Sequence, residues 1–194
     1  YAYRSFAKTA GFTPTPLEEM QTKQLPQPFL GTLYSQTQDS TLAKNPDYLE
    51  YFVSPVDAVN NQYVKGSPYT PNLTTPLAEY ASGAYSYSIF LHGDYPLSHL
   101  RTQLHNGKSI LIVKESYGNA FAPFLINNYE NIYVVDQRYF QLNLLDFIRT
   151  NKIQELLFIN NIFAAQTDIR TNEIYRLMTQ QYLAYTPTIP IEEE

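Results

Sequence analysis

Residues 109–128 read SILIVKESYGNAFAPFLINN, and this stretch decides the fold. Ile110, Leu111, Ile112 and Val113 follow one another with no polar residue between them. That is the pattern of a strand buried on both faces of a parallel sheet. The run stops at Lys114-Glu115-Ser116-Tyr117-Gly118, a short polar turn, after which Phe121, Phe124, Leu125 and Asn128 recur at helical spacing. Pro123 has no backbone donor and is tolerated only in a helix's first turn, so the helix is expected to begin near Asn119 or Ala120. Ser116 then stands at the carboxyl end of a buried strand, just ahead of a helix N-terminus. Unpaired backbone donors and the helix dipole favour developing negative charge there, which suits a nucleophile. A serine at that place also serves as an ordinary helix cap.

Downstream the pattern repeats: strand Ile132 to Val135, helix Leu144 to Thr150, strand Leu156 to Ile159. Such alternation implies right-handed crossovers and a parallel sheet with helices on its faces. Its functional edge is the carboxyl end of the strands. Three polar turns are expected to converge there: Glu115-Ser116, Asp136-Gln137-Arg138 and Asn160-Asn161. A last helix is expected from Asn172 to about Tyr182, with Ile174, Leu177 and Met178 inward, ahead of an acidic tail over 186–194.

Upstream the sequence is less regular. Tyr3, Phe6, Ala7 and Ala10 share one helical face, and Gly11 ends it. Phe29–Tyr34, Tyr48–Val53, Val56–Val64 and Tyr87–Leu91 read as strands. The residues between Gly66 and Pro76 have loop composition, and Asn72-Leu73-Thr74 matches a glycosylation pattern too short to weigh. A further strand is expected from Leu97 to Leu104, with Asn106-Gly107 as a hairpin turn into the central strand. The whole reads as one domain over 1–185, with a β-rich insertion within 12–108 and a parallel core over 109–165.

Composition removes several function classes. A net charge of -5 without a basic cluster argues against nucleic acid. The chain has no cysteine, which excludes disulfides and thiol chemistry. No apolar run approaches the roughly 20 residues that span a bilayer. His and carboxylates do not recur at ligand spacing, and there is neither a phosphate loop nor a Gly-x-Gly-x-x-Gly sequence, so no metal or cofactor is expected. Eighteen tyrosines suit partly wet surfaces and carbohydrate contact, as well as ordinary packing.

For acyl transfer, Ser116 would need a general base and donors for an oxyanion. Its own amide, Gly93, and Asn160 or Asn161 are candidate donors, and Arg138 is a candidate for holding the substrate's carbonyl or anionic group. A surface salt bridge for Arg138 and a helix cap for Asn160 are the plainer alternatives. Of the three histidines, His92 is the best placed as a base, at a turn beside Gly93-Asp94. His99 and His105 fall on the expected hairpin.

Lys114-Glu115-Ser116-Tyr117-Gly118-Asn119-Ala120-Phe121, Pro123-Phe124-Leu125 and Ile132 to Phe140 together resemble the bacterial DHHW protein family. The similarity extends through Asp146-Phe147-Ile148 and Leu156 to Asn161. That family is similar to SGNH hydrolases and to the alginate O-acetyltransferases of the cell envelope. The resemblance implies a three-layer, flavodoxin-like α/β fold, with Ser116 as nucleophile of an esterase or O-acetyltransferase acting on an envelope polysaccharide. It places the acid and base of the triad in an Asp-His-His-Trp motif that this chain lacks. In the family a helix like the first one here follows that motif closely, so a chain cut just downstream of the motif is expected. Glu115 stands where the family usually has Asp. A non-catalytic envelope protein that binds glycan or a protein partner is the alternative.

Overall fold

The computed structural model describes residues 1–63, 73–75 and 83–180. The buried run forms strand β6 (Ser109–Lys114), every residue of which is buried. It pairs in parallel with β7 (Asn131–Asp136) on one side and with β8 (Glu155–Ile159) on the other. The sheet then continues antiparallel through β5 (Leu97–Thr102), β3 (Ala58–Tyr63) and β4 (Leu73–Thr75), in the order β4-β3-β5-β7-β6-β8.

Alternation along β6 and β7 divides the core into two layers. Ile110, Ile112, Ile132 and Val134 face a cluster with Tyr3, Leu125, Ile126 and Tyr129. These come from helix α1 (Ala2–Ala10) and from α4 (Gly118–Phe121) with its 3-10 continuation and the following turn. Leu111, Val113, Tyr133 and Val135 face the opposite way, against Leu144 and Phe147 of α5 (Leu144–Thr150) and Leu177 of the last helix (Asp168–Thr179). The result is an α/β fold with helices on both faces.

Several expectations give way to local physics. Gly31, at φ 72, turns the chain out of strand β1 (Gln21–Phe29), so the segment read as a strand from Phe29 becomes helix α2 (Gly31–Thr37). β1 and β2 (Asp47–Val53) form a separate antiparallel ribbon. β3 is an interior strand of the main sheet, with Asn60 and Gln62 fully buried. The run read as a strand at Tyr87–Leu91 lies largely in a 3-10 helix, Gly83–Ile89, where Tyr87 packs on Phe29 and Phe90. Asn106-Gly107 does not close a hairpin, because β7 lies between β5 and β6. Proline at the helix start leaves only one α-turn in α4 before the 3-10 segment Ala122–Asn127. In the last helix Leu177 is buried while Met178 is exposed. The tail over 186–194 and the end expected for that helix lie outside the described residues.

His99 is 6% exposed, stacks on Tyr133 at 4.2 Å and bonds the Asn131 side chain at 3.0 Å. Burial pushes its pKa down to about 4, and the nearby Arg101 charge adds to this, against the Asn131 bond. A histidine held neutral in the fold contributes stability that is complete above its unfolded pKa of 6.5 and is lost as pH falls toward 4. The shift corresponds to about 3 kcal/mol. Unfolding in urea between pH 8 and pH 4 should show this loss, and His99→Phe should make the acid slope shallower. An unchanged slope in the variant would place the titration elsewhere.

Candidate functional site

The parallel register pairs Lys114 with Asp136 and with Ile159, so the three polar turns leave the sheet at one edge. β5 runs the other way and starts opposite Val135, which brings the preceding turn to the same edge. Leu91, His92 and Gly93 take φ values of 55, 57 and 99, a tight left-handed turn that presents Asp94 to the edge.

Four charged side chains meet there. Lys114, 1% exposed, reaches from the end of β6 to Asp94 Oδ1 at 2.8 Å and to Asp136 Oδ2 at 2.9 Å. Arg138 Nε bonds Asp136 Oδ1 at 2.8 Å and its Nη2 bonds Asp136 Oδ2 at 2.6 Å. The same Nη2 lies 2.7 Å from Asp94 Oδ2. Two cations therefore face two carboxylates, and the cluster is neutral. A lysine buried at a strand end needs such partners, since an unpaired buried charge costs several kcal/mol.

Ser116 sits at the rim of this cluster. Its hydroxyl donates to Asp94 Oδ2 at 2.7 Å and accepts from Arg138 Nη2 at 3.2 Å. Burial alone would raise the Asp94 carboxyl, but Lys114, the Ser116 hydroxyl and Arg138 together hold it well below the usual carboxylate range. Asp94 is thus always ionised near neutral pH and is a very weak base. The Arg138 guanidinium is held above its ordinary value by Asp136 first and Asp94 second, against burial, so it is a permanent cation. Tyr87 donates to the Ser116 carbonyl at 3.1 Å. Burial, then the Glu115 and Asp94 charges, push its phenol up to about 12, so it remains a donor.

The turn itself is pinned from two sides. Glu115, 6% exposed, accepts from the Tyr117 amide at 3.3 Å and from the Asn161 amide at 3.1 Å, tying the turn after β6 to the turn after β8. Gly118 packs on the Lys114 stem, and a Cβ there would lie 2.4 Å from Lys114 Cβ. Gly118→Ala should therefore push α4 away from β6 and cost about 1–3 kcal/mol, the usual range for overpacking. Chemical denaturation would measure it, and a neutral result would mean that the turn has room to shift.

The remaining sequence candidates separate. Gly93 donates its amide to Phe90 at 3.2 Å, within its own turn. Asn161 caps helix α6 (Ile162–Ala165), its Oδ1 accepting from Ala164 at 2.9 Å. Asn160 makes no side-chain hydrogen bond among the described residues, and its Oδ1 is buried. His92 lies half-buried in the turn before Asp94, with its pKa lowered by burial. His99 bonds Asn131 at the amino end of β7, and His105 follows the far end of β5, so both lie toward the opposite edge from Ser116. Among the described residues, the partners of the Ser116 hydroxyl are Asp94 and Arg138. Asp94, Lys114, Asn119 and Asp136 join the site without having been candidates. Among the described residues, no group of three or more His, Asp or Glu is placed to hold a metal ion. No helix of the described residues is long and apolar enough to cross a membrane.

A family model described as DHHW protein matches residues 1–135. The crystal structure of a DHHW family protein from Eubacterium siraeum DSM 15702 is similar over 90% of this chain and 58% of its own, at 30% identity and a TM-score of 0.81. PatB1 of Bacillus cereus, solved with a sulfonyl adduct, is similar over 87% of this chain and 57% of its own, at 18% identity and a TM-score of 0.65. PatB1 without mention of an adduct gives 17% identity and the same TM-score. The chain thus spans a little under three fifths of these relatives' length. No curated protein sequence matches it.

Proposed function

We propose, from the premise that the chain belongs to the DHHW protein family as the match over residues 1–135 shows, that Ser116 is the nucleophile of an SGNH-like serine esterase or O-acetyltransferase. The observation that carries this reading is the Ser116 hydroxyl itself. It is partly exposed at the carboxyl edge of a parallel sheet, held between the Asp94 carboxylate and the Arg138 guanidinium.

In this reading Ser116 Oγ bonds to the acyl carbon of an ester while its proton passes to a base. Asp94 is too weak a base for that proton, and the Ser116 hydroxyl has no histidine partner among the described residues. The base is then a histidine outside these residues, in the Asp-His-His-Trp motif for which the family is named. Collapse of the tetrahedral intermediate breaks the ester C–O bond, and the alcohol leaves with the proton. Water or an acceptor hydroxyl then takes the acyl group from Ser116. The Gly93 amide is bonded to Phe90 within its own turn, which leaves the side-chain Nδ2 of Asn160 or Asn161 as the oxyanion donor in this reading. A neutral charge cluster favours an uncharged ester over a phosphoryl substrate, since two cations against two carboxylates leave no excess positive charge to offset an anion.

The substrate in this reading is an acylated polysaccharide of the bacterial cell envelope, most simply acetylated. Tyr117 and Tyr139, next in sequence to Ser116 and Arg138, stand 67% and 39% exposed, and the Arg138 guanidinium lies 5.0 Å over the Tyr139 ring; rings with an open face suit sugars. The same two rings favour the second reading, a glycan-binding protein without turnover.

The sulfonyl adduct of PatB1 recommends the probe. The natural full-length protein should form a covalent adduct with a sulfonyl fluoride at Ser116, read by intact mass and peptide mapping. The 194-residue chain alone should react far more slowly. A folded full-length protein that takes no adduct would turn the assignment toward glycan binding.

A further inference from the structure

We infer that Asp94 is the positioning residue of this site, a single carboxylate that fixes both Ser116 Oγ and the Arg138 guanidinium through one oxygen. The inference rests on the reading of Ser116 as nucleophile. Oδ2 takes the Ser116 hydroxyl at 2.7 Å and faces Arg138 Nη2 at 2.7 Å. Oδ1 takes Lys114 Nζ at 2.8 Å and Asn119 Nδ2 at 2.8 Å. Four partners from four different points of the chain thus converge on one side chain. Two come from the end of β6 and the turn after it, one from α4 and one from the turn after β7.

The arrangement is built so that Asp94 itself cannot move. The Lys114 that holds Oδ1 is 1% exposed and tied to Asp136, while Asn119 is also 1% exposed and sits within α4. With Oδ1 fixed, the direction of Oδ2 is fixed, and Oδ2 sets where Ser116 Oγ stands before its hydroxyl turns from Asp94 to the base. Arg138 needs the same support. Asp136 grips its Nε and Nη2, and Asp94 closes the outer side against which Nη2 meets Ser116. A guanidinium held on two carboxylates in this way has its direction set by the fork of its N–H groups. It can therefore hold charge developing on the serine oxygen without rearranging during reaction.

Asp94 does no chemistry in this account. It touches neither the acyl group nor the leaving alcohol, and it acts through Ser116 and Arg138.

The test compares wild type, Asp94→Asn, Arg138→Gln and the double variant, each in the natural full-length protein, by the inactivation kinetics of a sulfonyl fluoride. Asp94→Asn keeps the shape and one acceptor but loses the charge that holds Arg138. The expected result is a maximal inactivation rate lowered by about ten- to a hundredfold, the scale of an ångström-size misplacement, with the probe's half-saturating concentration unchanged. Asp94→Asn added to Arg138→Gln should slow the reaction by less than it does alone, because the two act as a unit. An Asp94→Asn rate equal to or above that of wild type would overturn the inference, as would full additivity. The same inference is read without reactivity by a crystal structure of Asp94→Asn, in which Ser116 Oγ and the guanidinium should both be displaced. If both stay in place, Asp94 positions nothing. If wild type takes no adduct at all, the nucleophile reading fails, and the crystal structure alone decides the role of Asp94.

Discussion

Ser116→Ala in the natural full-length protein should lose the covalent adduct altogether, with labelling at this position down by more than about 10³-fold. Alanine has no atom that can form the bond, so the expected loss is set by the background at other side chains. The substitution is also a clean one. Asp94 keeps Lys114, Asn119 and Arg138 when the serine oxygen is removed, and Asp136 keeps both cations. Two hydrogen bonds at the partly exposed rim are lost while their charged partners stay paired, a net cost of about 1–3 kcal/mol, so thermal unfolding should move by several degrees at most. Ser116→Cys is the complementary variant, since a thiol in the same place should restore covalent capture by a thiol-reactive probe. An alanine variant that is folded and still takes one adduct at the wild-type rate would put the nucleophile at another residue, and peptide mapping would locate it.

Strands β6 and β7 of the parallel half were legible because they are buried on both faces and therefore consist mostly of Ile, Leu and Val. Ile110 to Val113 and Ile132 to Val135 needed no context to be read. The antiparallel half was harder for the opposite reason. Asn60 and Gln62 lie fully buried in β3, where polar side chains hide the strand's burial from any hydrophobicity pattern. The aromatic run at Tyr87 to Leu91 looked like a strand because rings favour strands, yet here they pack on Phe29 from a 3-10 helix. In that case tertiary packing overrode local preference.

The charge cluster shows what a sequence conceals about a site. Ser116 and Arg138 stand out because each follows an apolar strand. Lys114 closes a strand whose interior, Ile110 to Val113, is wholly apolar, and that is a signal: a cation at the end of a doubly buried strand must find carboxylates. Asp136 ends the neighbouring parallel strand and was the obvious one. Asp94 was not, since it reaches the edge only because β5 runs antiparallel and starts there. The sequence around Asp94, His92-Gly93-Asp94, draws attention to the histidine instead. In the structure the histidine makes the turn and the aspartate makes the contacts with Ser116 and Arg138.

Lys114→Met should be the most damaging substitution to the fold, costing about 3–5 kcal/mol, the range for removing one partner of a buried ion pair. Methionine fits the stem, which packs on Gly118, so volume is not the cause. The cost is electrostatic. Asp136 has a side chain with 0% exposure, and Asp94 one with 27%, and without Lys114 these two carboxylates share a single cation, Arg138. Adding Asp94→Asn to Lys114→Met should return at least about 1 kcal/mol, because one of the two facing charges is then gone and contacting residues couple by that much. The pH dependence gives an independent check. The Asp94 carboxyl, held below its unfolded value of 3.8, contributes stability that is present above that pH and is lost as pH falls. Without Lys114 its pKa rises, so the acid limb of the Lys114→Met variant should be shallower than that of wild type. Urea unfolding at pH 7, and stepwise from pH 4 down to pH 2, measures both effects. A Lys114→Met protein that loses less than about 1 kcal/mol would mean that water already compensates the two carboxylates, and the cluster would then be a solvated surface network that gives Ser116 no fixed support.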